Sequence, residues 1–425
     1  MTEDLILAGT EGRPGLRIVN AHVAGVDGPV AISIRHGRIV GIGPGLRAPG
    51  TLVYDAQGAF AFGGFVESHI HLDKAGILDR CTICEGTLGE AVRLTAVAKS
   101  GFTETDVHAR AARVISRAIT HGTVRMRSFV EIDPRAGFRS FAALKRLREE
   151  FRFAIDLQIC AFAQEGLTNE PETLKMLDAA LADGADLVGG CPYTDPDPER
   201  HVSQVFDLAA RHGVAVDFHL DFNLSPDGGA LDEVVRQTLR RGWQGRASVG
   251  HVTTLSAMAP HRVARIGRAL AAAGVSLIAL PATDLFLNGR DHDRLVPRGV
   301  APLHLLAIEG ATTAIATNNV LNPFTPYGDA SLIRMANLHA NVTQLARPAD
   351  LARAFAMVAP MAARAIGADH GLKPGGPATI VLLDCAGPEA AVREVAPVIA
   401  GWKDGRQSFH NGRSKIFTPD GARGP

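Results

Sequence analysis

Gly63-Gly-Phe-Val-Glu-Ser-His-Ile-His-Leu-Asp-Lys74 is the stretch on which the reading of the fold turns. Two glycines open it, apolar residues follow, and it closes on His69-Ile-His71. Residues i and i+2 of a strand point to one face. Both imidazoles therefore reach one point at the C-terminal end of this strand, and together they can hold one metal ion. An open, doubly wound sheet would place a Gly-rich phosphate loop after its first strand; here the strand ends in histidine instead. An HxH alone also fits two solvated histidines in a turn, so its weight rests on the rest of the chain.

Outward from this strand, short apolar runs alternate with segments of helical period. The predicted strands are 64–70, 123–129, 154–161, 187–190, 214–220, 247–251, 276–280 and 313–316. Helical stretches such as 137–151, 172–183, 203–212 and 262–273 lie between them. Eight strands, each followed by a helix, are the count of a closed (β/α)8 TIM barrel, an α/β fold. The barrel is expected over 63–374. Before it, residues 16–24, 30–34 and 39–42 read as short strands joined by Gly-containing turns. After it, 378–384, 392–398 and the segment around 409–417 have the same texture.

The composition is that of a soluble globular chain: 425 residues, 46% hydrophobic, 21% charged. Lys+Arg and Asp+Glu are 44 each, so no net charge marks a nucleic-acid or membrane partner. No leader-like segment and no run of ~18 apolar residues is read, and the expectation is a cytoplasmic enzyme with no nucleic-acid or membrane partner. Five scattered cysteines, Cys81, Cys84, Cys160, Cys191 and Cys385, argue against a disulfide framework. Cys81 and Cys84 form a CxxC without a second pair and are read as free thiols.

Two further strands end in histidine. Val214-Ala-Val-Asp-Phe-His219 is followed by Asp221 at i+2, and Ala247-Ser-Val-Gly-His251 ends in its own histidine. Barrel sites are built at the C-terminal rim of the strands, so His69, His71, His219 and His251 converge on one rim.

With these residues in view, the quoted stretch resembles the opening strand of the amidohydrolase superfamily, most closely its cytosine deaminase-like branch. Leu157-Gln-Ile-Cys-Ala-Phe-Ala-Gln-Glu-Gly166, Phe218-His-Leu-Asp221, Gly250-His-Val-Thr-Thr254, Leu285-Phe-Leu-Asn-Gly-Arg290 and Asn322-Pro-Phe-Thr-Pro-Tyr-Gly-Asp329 carry the same resemblance. Ala363-Arg-Ala-Ile-Gly and His370-Gly-Leu-Lys-Pro-Gly375 are similar to the superfamily's closing segment. Lys74 after the HxH is also similar to N-alkyl-s-triazine amidohydrolases. The resemblance implies that His69, His71 and His219 bind one divalent metal ion, zinc first and iron as the alternative. It implies that His251 stands over the activated water or the leaving group, and that Gln164 binds the amide edge of a ring. It also implies that residues 1–62 and 375–425 join into a small β-sandwich beside the barrel. The partner is a small-molecule substrate, and a homo-oligomer is expected.

The sequence departs from that pattern at two carboxylates. The aspartate expected after the eighth strand falls on Asn318, and the glutamate expected three residues after His219 falls on Phe222. Phe129 also stands where many relatives carry histidine. Three neutral histidines suffice for a catalytic zinc with an open position, so the missing part is a proton shuttle. Asp221 is the first choice because it shares a strand face with His219; His251 and Lys74 are the others. Asp221 also fits an orienting role toward a ligand histidine, and Lys74 also fits a solvated loop cation or a pair with Asp73. Asn318 and Asn319 are assigned to substrate, and Asp284 and Arg290 to the mouth of the site. His292, His304 and His339 are read as ordinary surface or helix histidines. Three functions are carried forward. The first is a metal-dependent hydrolase cleaving a C–N bond of a small nitrogen heterocycle or cyclic amidine by hydroxide attack. The second is a cyclic-amide or N-alkyl amidohydrolase, and the third a catalytically silent relative that binds a ligand.

Overall fold

Alternating apolar residues between tight turns produce the first strands seen in the computed structural model, which describes residues 15–47 and 51–416. These are β1 (Leu16–Val23), β2 (Val30–Arg35), β3 (Arg38–Gly43), β4 (Leu52–Asp55) and β5 (Phe60–Phe62). The chain falls into two compact units. One takes residues up to Gly64 together with those from Gly371 onward; the other is Phe65–His370.

The second unit is the barrel. Its strands are β6 (Phe65–Ile70), β7 (Thr123–Glu131), β8 (Asp156–Ala163), β9 (Leu187–Gly190), β10 (Ala215–Leu220), β11 (Ala247–His251), β12 (Val275–Ala279) and β13 (Thr313–Ile315). They pair in sequence order, each parallel to the next. β6, β9, β11 and β12 are buried throughout, as parallel strands covered by helices must be. The cylinder closes at the site. Ile70 and Asn318 form a parallel bridge; the Asn318 N–H donates to the His69 carbonyl and the His71 N–H to the Asn318 carbonyl, both at 2.8 Å. Position 318 is thus the stitch between the first and last strands.

Helices α1 (Leu88–Ser100) and α2 (Glu104–Thr120) follow β6. Next come α3 (Arg139–Phe151), α4 (Pro171–Ala182), α5 (Pro198–His212), α6 (Leu231–Arg241), α7 (Pro260–Ala273) and α8 (Pro281–Leu287). α1 starts where the sequence gives it a cap: the Thr87 hydroxyl accepts from the Glu90 N–H, and the Glu90 carboxylate accepts from the N–H groups of Cys84, Glu85 and Gly86.

In the first unit, β14 (Ile380–Leu383), β15 (Val398–Lys403) and β16 (Arg406–His410) complete the sheet. β1 belongs to two layers. Its first half pairs with β2 and β4, and its end pairs with β5, which leads to β14, β15 and β16. The layers close over one core in which Ile18, Ile32 and Ile39 meet Leu382, Ile399 and Trp402, giving the small β-sandwich of the chain's two ends. One expectation fails here. Residues 392–398 are not a strand; Pro388–Glu394 is a helix, and the strand begins at Val398. Pro388 at the helix's first turn starts it, since proline's fixed φ suits that position. The last expected segment is a strand only over Arg406–His410, and Phe417 lies outside the described residues.

Candidate active site

β6 and β10 bring His69, His71 and His219 together. The Nε2 atoms of His69 and His219 are 2.9 Å apart and those of His71 and His219 are 3.0 Å apart. One ring nitrogen from each lies within 4.8 Å of the others. Burial pushes all three well below the usual histidine range, with neighbouring positive groups adding to the effect. They are therefore neutral bases, the form a metal needs. Their Nδ1 atoms are buried and without partners. Lone pairs that face one another this closely call for a cation or a shared proton. Two nitrogens at about 2.0–2.1 Å from a tetrahedral zinc stand about 3.3 Å apart, a few tenths beyond the separations here. The donor set thus fits one divalent ion. Phe129 and Phe162 wall the cluster, with ring centroids 4.1 Å from His69 and 4.2 Å from His219. Gly250 is required beside it, because a Cβ there would stand 2.7 Å from His69 Cε1.

His251 ends β11 at the same rim. Its Nδ1 lies 2.6 Å from Asp284 Oδ1, and the other oxygen of Asp284 accepts from the Leu280 N–H. Burial raises the Asp284 carboxyl, while His251 pulls the other way. With Nδ1–H given to Asp284, His251 turns Nε2 toward the cavity. Asp284 is therefore a fixed partner of His251 rather than a residue of the mouth, and Arg290 lies over the Phe286 ring instead of entering the cavity.

Asp221 does not share the face of His219. The strand ends at Leu220, and Asp221 takes a left-handed conformation with φ 50°. The turn carries its carboxylate away to the N–H groups of Ala230 and Leu231, at 2.8 and 3.3 Å, at the start of α6. Gly229 makes room for it: φ is +119°, and a Cβ would meet the carboxylate at 2.6 Å. Asp221 lines a separate cavity, so the strand alternation that made it the first choice for proton transfer breaks one residue too early. No acid replaces it at Phe222, whose ring stands edge-on to His251 at 4.8 Å.

A small cavity opens onto the histidines. His71, His219, His251, Asn318 and Asn319 line it, as do Lys74 and Gln164. Asn318, with φ 64°, leaves its Oδ1 buried and unpartnered. Leu88, Leu287, Phe222 and Phe324 give it apolar walls. Lys74 hydrogen-bonds the Asp73 carboxylate only through its backbone N–H, at 2.8 Å. Its Nζ donates to Glu131 Oε1 at 2.7 Å and to Gln164 Oε1 at 3.2 Å, and sits 4.5 Å above the Phe324 ring.

Behind Lys74 lies a cluster that the sequence did not announce. Lys99, from the end of α1, donates to Glu131 at 2.9 Å, to Asp133 at 2.6 Å and to Glu165. Burial alone would raise the Glu131 carboxyl, but Lys74 and Lys99 outweigh it and bring it to about 2. Glu131 is two residues past Phe129 on β7, so it shares that strand face; a β7 drawn two residues longer would have found it. Cys81 and Cys84 are free thiols, as are the other three cysteines.

Barrel, histidine trio and rim imidazole together define a metal-dependent hydrolase. The chain belongs to the amidohydrolase family, whose sequence pattern matches residues 85–409, and it is a hydrolase of C–N bonds other than peptide bonds. It is 27% identical over 371 residues to a pterin deaminase of Rhizobium rhizogenes, covering 85% of each chain. It is similar to the structure of 5-methylcytosine deaminase from Klebsiella pneumoniae with 5-fluorocytosine: TM-score 0.90, 27% identity, 95% of this chain and 100% of that one. It is also similar to N-isopropylammelide isopropylaminohydrolase from Burkholderia multivorans: TM-score 0.83, 29% identity, 94% of this chain and 99% of that one. No helix among the described residues is long and apolar enough to cross a membrane.

Proposed function

We propose that this chain hydrolyses an exocyclic C–N bond of a small nitrogen heterocycle or cyclic amidine, releasing ammonia or an amine. The observation that carries the reading is the meeting of three neutral imidazoles with the His251–Asp284 pair at one barrel rim. The similar proteins are named for pterin, 5-methylcytosine and N-isopropylammelide, all small nitrogen rings. The unit Phe65–His370 is the catalytic domain in this reading, since it holds every residue of the site.

His69, His71 and His219 hold the ion, and an all-imidazole set suits zinc. Such an ion supplies a Lewis acid and a water whose pKa is brought near 7. The chain's own groups do the rest. His251 Nε2 takes a proton from the attacking water and hands it to the leaving nitrogen, while Asp284 holds the ring and its tautomer. The balance is simple: the oxygen stays on the ring carbon, one hydrogen of water goes to the leaving nitrogen and the other to the ring nitrogen. Asn318 offers a neutral carbonyl oxygen beside the water, where a carboxylate would have been a base. Lys74, Gln164 and Asn319 hold the ring. Five free thiols fit a reducing compartment, which supports a cytoplasmic location.

The test is metal analysis together with an assay of aminopyrimidines, aminotriazines, pterins and cyclic amides for ammonia or amine release. One zinc per chain and release from an exocyclic nitrogen is the expected result. A folded protein that takes up no divalent metal and is inert on the whole panel contradicts the reading.

A further inference from the structure

Lys99 stands outside the catalytic cavity, yet its contacts reach a group that lines it. It comes from the last turn of α1, the helix whose first residue, Leu88, is on the cavity wall. Its side chain is buried, and its three N–H groups meet three carboxylates. Each carboxylate gives Lys99 one oxygen and has a different donor on the other. Glu131 gives Oε2 at 2.9 Å, with Lys74 on Oε1 at 2.7 Å. Asp133 gives Oδ2 at 2.6 Å, with the N–H groups of Arg135 and Ala136 on Oδ1 at 2.8 and 2.9 Å. Glu165 gives Oε1, with Arg135 on Oε2 at 3.0 Å.

A single carboxylate, that of Glu131, separates the two lysines. They differ in what else they hold. Lys99 gives every N–H to a carboxylate. Lys74 gives one to the neutral amide of Gln164, at 3.2 Å, and lies 4.5 Å above the Phe324 ring, on the cavity side. Without Lys99, three oxygens lose their donor while their charge stays. Arg135, the other cation nearby, is already committed to both oxygens of Glu170, at 3.1 and 2.7 Å. Lys74 is the mobile cation, an ammonium on a flexible four-carbon stem. A hydrogen bond to a carboxylate is stronger than one to an amide. The stripped cluster would therefore draw Lys74 off Gln164 and away from the cavity.

We infer that Lys99 is a positioning residue: by occupying the three carboxylates it keeps the Lys74 ammonium at the cavity wall against Gln164, an assignment that rests on the hydrolytic reading for what Lys74 does there. α1 then has two tasks. It walls the cavity with Leu88, and it delivers the cation that keeps Lys74 aimed inward.

Crystal structures and kinetics of the zinc-loaded, full-length protein test this. In Lys99→Met, Lys74 Nζ should leave Gln164 Oε1 and lie within hydrogen-bond distance of Asp133 or Glu165. Zinc content should be unchanged. KM for the aminopyrimidine, aminotriazine or pterin that wild type hydrolyses should rise about tenfold, with kcat within about threefold, as for a lost binding contact. Lys74→Met should raise KM by a similar factor, and adding Lys99→Met to it should raise KM no further, since both act through one ammonium. Lys99→Met/Glu165→Gln keeps the wild-type net charge and leaves buried Asp133 to attract Lys74. It should show the same displacement and the same KM, and it carries the test if Lys99→Met does not fold. Lys74 still seated on both Glu131 and Gln164 in these variants, or KM effects of Lys74→Met and Lys99→Met that multiply in the double variant, overturns the assignment. The proposed function fails differently: it falls if the chain holds no metal and hydrolyses no C–N bond, and the place of Lys74 in the variant structures then still decides whether Lys99 positions it.

Discussion

Two clusters of metal-type ligands stand at the same end of the barrel, and they are built on opposite principles. His69, His71 and His219 are neutral, face one another at 2.9 and 3.0 Å, and have no positive group between them. Glu131, Asp133 and Glu165 would suit a hard cation equally well by proximity, yet Lys99 already sits among them with all three carboxylates around its Nζ. Ligand atoms brought together mark a metal site only where the chain does not supply its own cation. The first cluster is arranged for an added ion. The second ties α1, which contributes Leu88 to the cavity, to the ends of β7 and β8, and holds Lys74 in place through Glu131.

The difference is open to direct attack. The largest effect is expected at the rim that serves the histidines. His251→Asn should keep the metal and lose about 10²–10⁴ in kcat, the usual weight of a general acid–base group. Asp284→Asn should cost less, about 10–100-fold, as an orienting partner does. A kcat within twofold of wild type for His251→Asn would remove that residue from proton transfer.

Lys99→Met attacks the second cluster. It removes the cation shared by three carboxylates, two of them buried, and leaves Glu131 only Lys74 and leaves Asp133 and Glu165 only the more exposed Arg135; it should lower unfolding stability by about 3 kcal/mol in denaturant titration. Unchanged stability would mean that the lysine is not what neutralises them.

Acid should reveal the same cluster more gently. Glu131 is held at about 2 when folded, against about 4.3 for a free glutamate. A depressed carboxyl adds stability that is present above its unfolded value and lost as pH falls through its folded one. Lys74 and Lys99 face Glu131 as cations; Asp73, Asp133 and Glu165 complete the surroundings. Wild type should therefore lose more stability than Glu131→Gln as pH falls from about 5 toward about 2. Parallel melting curves for the two proteins across that range would contradict this.

The smallest effect separates the histidine rim from its neighbour on β10. Asp221→Asn should weaken the start of α6 by about 1 kcal/mol and leave kcat within about twofold. A hundredfold loss of turnover would return Asp221 to the mechanism.

The histidine cluster was legible in the sequence because strand geometry is periodic. His69 and His71 follow from a spacing of two, and His219 and His251 from their places at strand ends. The barrel was legible because apolar runs and helical segments alternate eight times. What the sequence hid depended on where the period stops. Asp221 lies one residue beyond β10, and a single left-handed residue turned it from the site to a helix end. Asp284 meets His251 across 33 positions from a short helix after β12. Lys99 and Glu131 are 32 positions apart and become neighbours only through tertiary packing.

The central claim is that the metal belongs to the neutral cluster and not to the charged one. Zinc content per chain, measured on wild type, His219→Ala and Lys99→Met after dialysis against excess zinc, tests it most directly. The account predicts one tightly held zinc in wild type, none in His219→Ala, and one at the histidines in a folded Lys99→Met protein. Zinc that persists in His219→Ala, or a wild-type chain that holds none, would contradict it.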